Sequence, residues 1–362
     1  MEPIKKFFEC LIPVTACNLK CSYCYVIQRN NRKNKLPEMK YSIQTIKKSL
    51  SKKRLGGACY FSICGAGETL IPEETLQITE ALLDNGHYVN ITTNGLLTNR
   101  IEKLLEMPKE FLERLQVAFS FHYLELKRLN KMNIFFENVN KVKSAGCSIL
   151  VQLNLCDEYI PYIDEIKEIC LEKVGAYPQI AATREEDINS KVKLMTSYSK
   201  EEYEKYGNMF DSNLFKFTME NFNVKRNEFC YAGEWTFSLN LATGVLRRCY
   251  NSIFSQNIFE NPEEPIRFCA VGKACNSVFC MNSSHFMSLG VIPEKKCPTY
   301  LELRNRSEAN WYNDKMKEVL SLKLNDTNEL YTNGKKMKSI CIGYIDKIGY
   351  STWRILNRLK RK

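Results

Sequence analysis

At 362 residues the chain is long enough for one large domain with a smaller one appended, and it is too long for a small disulfide-stapled module. Sixteen cysteines stand in it, yet the start, MEPIKKFFECLIPVT, lacks the apolar run and cleavage site of an export signal, and no stretch is long enough to span a bilayer. The expected compartment is the cytoplasm, where clustered cysteines point to metal ligands or catalytic thiols rather than disulfides. The net charge of +11 is uneven: residues 335–362 hold nine Lys or Arg against one acidic residue, Asp346, and so carry most of it. A basic tail describes the chain better than a basic protein, and no nucleic-acid partner is expected.

Six short segments rich in β-formers recur before residue 185: FECLIPVT (8–15), CYFSIC (59–64), YVNITT (88–93), LQVAFSF (115–121), SILVQLNL (148–155) and PQIAAT (178–183). Helix-patterned stretches lie between them, near 41–53, 73–85, 98–106, 133–146 and 161–175. Pro72 followed by Glu73 and Glu74 suits a helix start. Strand–helix alternation at intervals of roughly 30 residues predicts parallel strands with right-handed crossovers, a partial (βα)6 TIM-like barrel over 1–185. A polar linker and short helix are expected over 186–228. A separate small cysteine-rich domain, held more by metal than by apolar core, is expected over 229–305, and a helical region with the basic tail over 306–362.

Cys17, Cys21 and Cys24 follow directly on the first strand, in CNLKCSYC. In a parallel barrel chemistry sits at the carboxyl ends of strands. Three soft thiolates on one tight loop suit a four-iron cluster, holding three irons and leaving the fourth open. The competing readings are a partial zinc knuckle, which prefers a fourth protein ligand, and buried structural cysteines.

The C-x3-C-x2-C spacing after a first strand resembles the radical S-adenosylmethionine (radical SAM) superfamily. CGAGETL, after the second strand, is similar to that superfamily's Gly-Gly-Glu motif, with Ala66, Gly67 and Glu68 in its three places and alanine as a departure at the first. The resemblance implies that this motif meets the amino group of the methionine moiety. TTNGLL places Asn94 and Gly95 at a turn that suits positive φ, either as a plain turn or near the ligand. In SFH, Ser120 and His122 share one face of the strand, and Ser120 is favoured as a contact to ribose or carboxylate. Arg184, at the end of the sixth strand, either pairs with the methionine carboxylate or begins the polar linker at the surface. The resemblance further implies a [4Fe-4S] cluster that chelates S-adenosylmethionine and cleaves it reductively to a 5′-deoxyadenosyl radical, with flavodoxin or ferredoxin as electron donor.

Cys230, thirteen residues, Gly244, four residues and Cys249 resemble the first half of the C-terminal auxiliary-cluster domain called SPASM and of its shorter relative, Twitch. Cys269, Cys275, Cys280 and Cys297 fit that pattern less well. One auxiliary cluster is expected, with Cys230, Cys249 and Cys280 completed by one of Cys269, Cys275 or Cys297, and a zinc-stabilised knob is the competing reading. Cys64 and Cys156, at the ends of the second and fifth strands, are either hydrogen-atom donors or ordinary buried thiols.

In the tail, Ile345, Ile348, Trp353, Leu356 and Leu359 fall near helical spacing among Lys347, Arg354, Arg358 and Lys360 to Lys362, while Gly343 and Gly349 weaken the helix. Residues 335–362 are expected to meet a membrane surface or acidic partner, or to pack as a terminal helix. The leading functional expectation is hydrogen abstraction from a peptide or protein side chain. No leader-peptide-binding domain is expected before the barrel, which keeps a carbohydrate or other small molecule open as substrate. From another class, a non-catalytic zinc- or cluster-stabilised interaction protein remains.

Overall fold

The structure, a computed structural model, describes residues 2–186 and 192–359, with the backbone alone described at Glu186 and over 353–359. The tail positions Trp353, Arg354, Leu356, Arg358 and Leu359 therefore have no described side chains, and Lys360 to Lys362 lie outside the described residues.

The six expected strands form in order: β1 (Lys6–Ile12), β2 (Cys59–Gly65), β3 (Tyr88–Thr93), β4 (Leu115–Ser120), β5 (Ser148–Leu155) and β6 (Gln179–Ala182). All five neighbouring pairs are parallel. Helices at Ile43–Ser49, Glu73–Asp84, Thr98–Leu105, Met132–Ser144 and Ile163–Val174 fill the crossovers. β1 stops at Ile12, three residues short of the expected end. Pro13 has no N–H to give a ladder, and the next residues pair elsewhere, the Val14 carbonyl accepting from Gly67 N at 2.7 Å.

Two regions differ from expectation. The stretch after β6 holds β7 (Arg184–Glu186) and β8 (Val192–Leu194), an antiparallel pair, followed by two helices, Lys200–Asn208 and Asn213–Asn221. The second helix is tied to β6 through Ser212, whose hydroxyl accepts from Ile180 N and donates to Gln179 Oε1. The cysteine-rich region is also not set apart from the barrel. Its strands β9 (Thr236–Asn240), β10 (Val245–Arg247) and β11 (Ser255–Asn257) extend the same sheet in the order β11-β10-β9-β1-β2-β3-β4-β5-β6, with β9 parallel to β1.

The reason lies in matching side chains. Phe8 of β1 stacks on Phe61 of β2 at 4.7 Å and on Phe237 of β9 at 5.1 Å, all three in register. Burying each such ring contributes about 1.5–3 kcal/mol, so an aromatic row, rather than metal alone, joins the two regions. On the opposite face of the sheet one register row runs Glu9, Ser62, Asn90, Gln116, Ser148, all polar. That face also carries Cys64, Thr92, Ser120 and Asn154 and lines the central cleft. Among the described residues no helix is long and apolar enough to cross a membrane.

Candidate active site

Cys17, Cys21 and Cys24 lie at the carboxyl end of β1, in the wall of a cleft of about 240 Å3 that also takes Ala66, Gly67, Glu68, Asn94 and Ser120. Side chains from three later loops fix the cysteine loop. Asn94, after β3, donates to Asn18 Oδ1 at 2.6 Å and approaches Cys17 Sγ at 3.9 Å. Glu125, after β4, accepts from Lys20 N at 2.8 Å, and Glu158, after β5, accepts from Ser22 Oγ at 2.8 Å. The Cys17 carbonyl accepts from Arg32. Burial raises the Cys17 thiol, and burial together with Glu125, Cys17 and Cys24 pushes Cys21 up to about 12. Buried thiols such as Cys17 and Cys21 need a cationic centre to hold them as thiolates, which is the chemistry an iron–sulfur cluster supplies. The donor set fits a cluster held at three corners.

Gly67 also has a packing task. A Cβ there would lie 2.1 Å from the Ala16 carbonyl oxygen. The missing side chain thus lets the loop after β2 pair with the chain entering the cysteine loop, where Glu68 N donates to Ala16 O at 2.8 Å. The Glu68 carboxylate is buried and fully engaged, accepting from Leu70 N, Thr93 Oγ1 and Asn94 N at 2.9, 2.7 and 2.8 Å. Burial raises its pKa, and these three donors partly offset that. Glu68 therefore staples the loops after β2 and β3 together. Gly95 has φ +75°, the left-handed conformation its turn needs.

Ser120 and His122 both face the cleft. His122 Nδ1 stands 2.7 Å from Tyr23 Oη and 3.3 Å from Cys21 Sγ. Burial lowers its pKa to about 4, so the ring is neutral. Arg184 is placed elsewhere: it is not in the cleft wall, and its Nη1 lies 3.5 Å from the Met281 carbonyl. Cys64 is in the cleft wall, with burial and then Glu9 pushing its thiol up to about 12. Cys156 is buried.

Of the later cysteines the structure gathers Cys230, Cys249, Cys275 and Cys280. Burial raises the Cys230 thiol first, and Cys275, Cys280 and Cys249 each raise it further. Burial first, and then neighbouring cysteines including Cys275, raise Cys249 and Cys280 as well. Of Cys269, Cys275 and Cys297, it is Cys275 that stands near the other three. Cys269 points to Arg248 Nη1 at 3.7 Å and Ser339 Oγ at 4.0 Å, and Cys297 is surrounded by Lys295, Lys323, Arg226 and Glu228. Among the described residues no three His, Cys, Asp or Glu side chains close onto a single ion.

Sequence reasoning passed over a polar group between the two cysteine sets. Glu9 Oε2 of β1 meets His285 Nδ1 at 2.7 Å and accepts from Asn282 Nδ2 at 3.2 Å, and the same amide reaches Tyr250 Oη at 3.2 Å. Burial would raise Glu9, but His285 and Asn282 bring its pKa below the ordinary value. Tyr250 keeps 40% of its surface open, although burial drives its phenol well up. Besides burial, Glu9, Cys64 and Cys249 push the phenol up and Arg184 opposes them, so Tyr250 stands between the cleft residue Cys64 and Cys249 of the second cysteine set. The signal was present: Glu9 is an acidic residue inside an apolar strand.

The Radical SAM superfamily model matches residues 11–169. No curated protein sequence matches the chain. Among solved structures, Streptococcus suis SuiB is 15% identical with a TM-score of 0.51, covering 72% of this chain and 64% of its own. SuiB bound to the precursor peptide SuiA is 16% identical with a TM-score of 0.50, covering 71% and 63%. The chain thus spans less than two thirds of the SuiB length, and the likeness is one of fold. anSMEcpe with bound AdoMet is 17% identical with a TM-score of 0.49, covering 99% and 96%. Because the family match falls on the strands and loops that build the cleft, residues 11–169 are a radical SAM domain, of the superfamily that binds a [4Fe-4S] cluster and S-adenosylmethionine.

Proposed function

We propose that Cys17, Cys21 and Cys24 hold the cluster and that Ala66, Gly67, Glu68, Asn94 and Ser120 form the S-adenosylmethionine wall. The observation that carries this is the convergence of all eight residues on one cleft at the carboxyl end of the sheet. Cluster and cofactor together supply a 5′-deoxyadenosyl radical, which removes hydrogen from an unactivated carbon. The protein's own groups then orient the substrate and exclude water. Glu68 fixes the loops after β2 and β3 by its three accepted hydrogen bonds, and His122 with Tyr23 seats Cys21. Arg184, given its place beside Met281 and near Tyr250, serves the substrate side rather than the methionine carboxylate.

Cys230, Cys249, Cys275 and Cys280 hold one auxiliary cluster of SPASM or Twitch type, in a region we delimit as 229–305 after the 1–185 barrel and the 186–228 connection. Residues 306–362 close the chain as its helical region. Cys269 and Cys297 stand outside that ligand set.

We place the substrate between the two cysteine sets, against the hydrogen-bonded group of Glu9, His285, Asn282 and Tyr250. A peptide or protein side chain is the reading we favour, supported by the fold shared with SuiB, a protein that binds a precursor peptide. The hydrogen-bonding wall also favours a second reading, a hydroxylated carbohydrate-like molecule. Cys64, whose thiol remains protonated at neutral pH, gives a hydrogen atom to the substrate radical, and the thiyl radical left behind is restored by one electron from the donor and a proton. Electron supply falls to flavodoxin or ferredoxin. The test is anaerobic: reconstituted, reduced protein given S-adenosylmethionine should release 5′-deoxyadenosine, and Cys17, Cys21 and Cys24 changed together to Ala should release none. Wild-type protein that yields no 5′-deoxyadenosine under these conditions would sink the reading.

A further inference from the structure

Residues Asn333–Leu359 form one 27-residue helix, about 40 Å long at 1.5 Å per residue. One face packs on the cysteine-rich region. Ser339 Oγ donates to the Ala270 carbonyl at 2.7 Å, and Asp346 pairs with Arg248 at 2.7 Å while accepting from Ile253 N at 2.8 Å. Gly343, expected to weaken the helix, instead permits this contact: a Cβ would lie 2.6 Å from the Val271 carbonyl oxygen.

The opposite face is apolar and bare. Met337, Cys341, Tyr344, Ile345 and Ile348 recur at i, i+4, i+7, i+8 and i+11, a stripe along one side of a helix. All are exposed, Met337 and Ile345 at 61% and Ile348 at 68%. The sequence carries the spacing on to Ile355 and Leu359. Exposed Lys338 and Lys347 flank the stripe on either side. Asp346, the single acidic residue of 335–362, is turned inward onto Arg248. The charge that this helix presents beside its apolar stripe is therefore positive.

We infer that this helix lies on an anionic membrane surface, its apolar stripe at the level of the acyl chains and its lysines among acidic headgroups. A stripe this long and shallow, flanked by cations, matches a lipid interface, which needs apolar area and negative charge but no shape complementarity. A second copy of the chain would set two lysine-flanked stripes against each other, placing like charges together. Since no described helix can cross a bilayer, the helix rests on the surface. The inference is independent of the reaction proposed above.

The test uses the full, anaerobically purified chain with sedimenting vesicles of phosphatidylcholine alone or mixed with phosphatidylglycerol. The chain should bind the mixed vesicles and not the neutral ones, with binding that falls as salt rises. Ile345→Asp with Ile348→Asp should lower the partition coefficient at least ~10-fold, and Lys338→Glu with Lys347→Glu about 10-fold. Both doublets sit at exposed positions, so an unchanged thermal unfolding curve verifies the fold. Three results each overturn the inference: no binding to phosphatidylglycerol vesicles, binding indifferent to both doublets, or a dimer in vesicle-free solution that the isoleucine doublet dissolves. Binding to poly-glutamate without vesicle binding also overturns it, assigning the face to an acidic protein.

Discussion

The two cysteine sets are built in opposite ways. Cys17, Cys21 and Cys24 stand within eight consecutive residues, and the barrel's later loops come to them through Asn94, His122, Glu125 and Glu158. Cys230, Cys249, Cys275 and Cys280 come from separate segments, brought together by β9 pairing with β1 and by the C-terminal helix clasping Arg248 and Ala270. The first set is local, and its support is distributed. The second is distributed, and its geometry depends on the fold around it. The local set can be read whole from spacing, the distributed one only in part.

That comparison can be broken at several points. The largest effect is expected at Cys275→Ala, which should remove about four irons, the content of one cluster. Cys269→Ala and Cys297→Ala should leave the iron content unchanged. Iron lost equally from all three variants would contradict the assignment.

Next comes Asp346→Ala, which leaves Arg248 buried without its partner and should cost about 3–5 kcal/mol. It should be felt first as release of the C-terminal helix, visible as new protease cleavage between 333 and 352. If the cleavage pattern and thermal unfolding do not change, the helix does not clasp the second set.

Gly67→Ala presses a methyl group into the Ala16 carbonyl. Overpacking of this kind costs about 1–3 kcal/mol, and the displacement should appear at the cysteine loop as weakened S-adenosylmethionine binding, measured by equilibrium dialysis. Unaltered binding would mean that the loop tolerates the shift.

A smaller effect is set by pH. His87 Nδ1 accepts from Cys59 N at 3.1 Å, so Nε2–H donates to the Leu50 carbonyl at 2.7 Å. Burial, countered in part by the Leu50 carbonyl, pushes its pKa down to about 4. A depressed histidine contributes stability that is fully present above its unfolded value, about 6.5, and lost as pH falls toward 4. Stability should decline through that window by up to ~1.4 kcal/mol per pH unit from His87. His87→Gln should flatten the curve in urea melts, and an identical slope in the variant would rule this source out.

Much of the first region was legible. All six parallel strands and five crossover helices fall close to their expected places, because each strand is a short run rich in β-formers between helical patterns. Where expectation missed, a distant partner decided. β1 ends early because Val14 and Ala16 pair with the loop after β2. Phe237 gives no sign in sequence that it will stack on Phe8. Choosing Cys275 over Cys269 and Cys297 needed three dimensions, since all three lie within a plausible interval. Gly343 reads as a helix-weakening residue until Val271 is seen beside it. Glu9 was readable as a charge in an apolar strand, but its partner His285 lies 276 residues away.

The most direct test of the account is the iron content of the Cys17→Ala, Cys21→Ala, Cys24→Ala variant after anaerobic reconstitution, set against the wild type. Two independent clusters predict about eight irons per chain in the wild type and about four in the variant. A wild type with about four irons and a variant with none would contradict it, leaving the second cysteine set without a cluster.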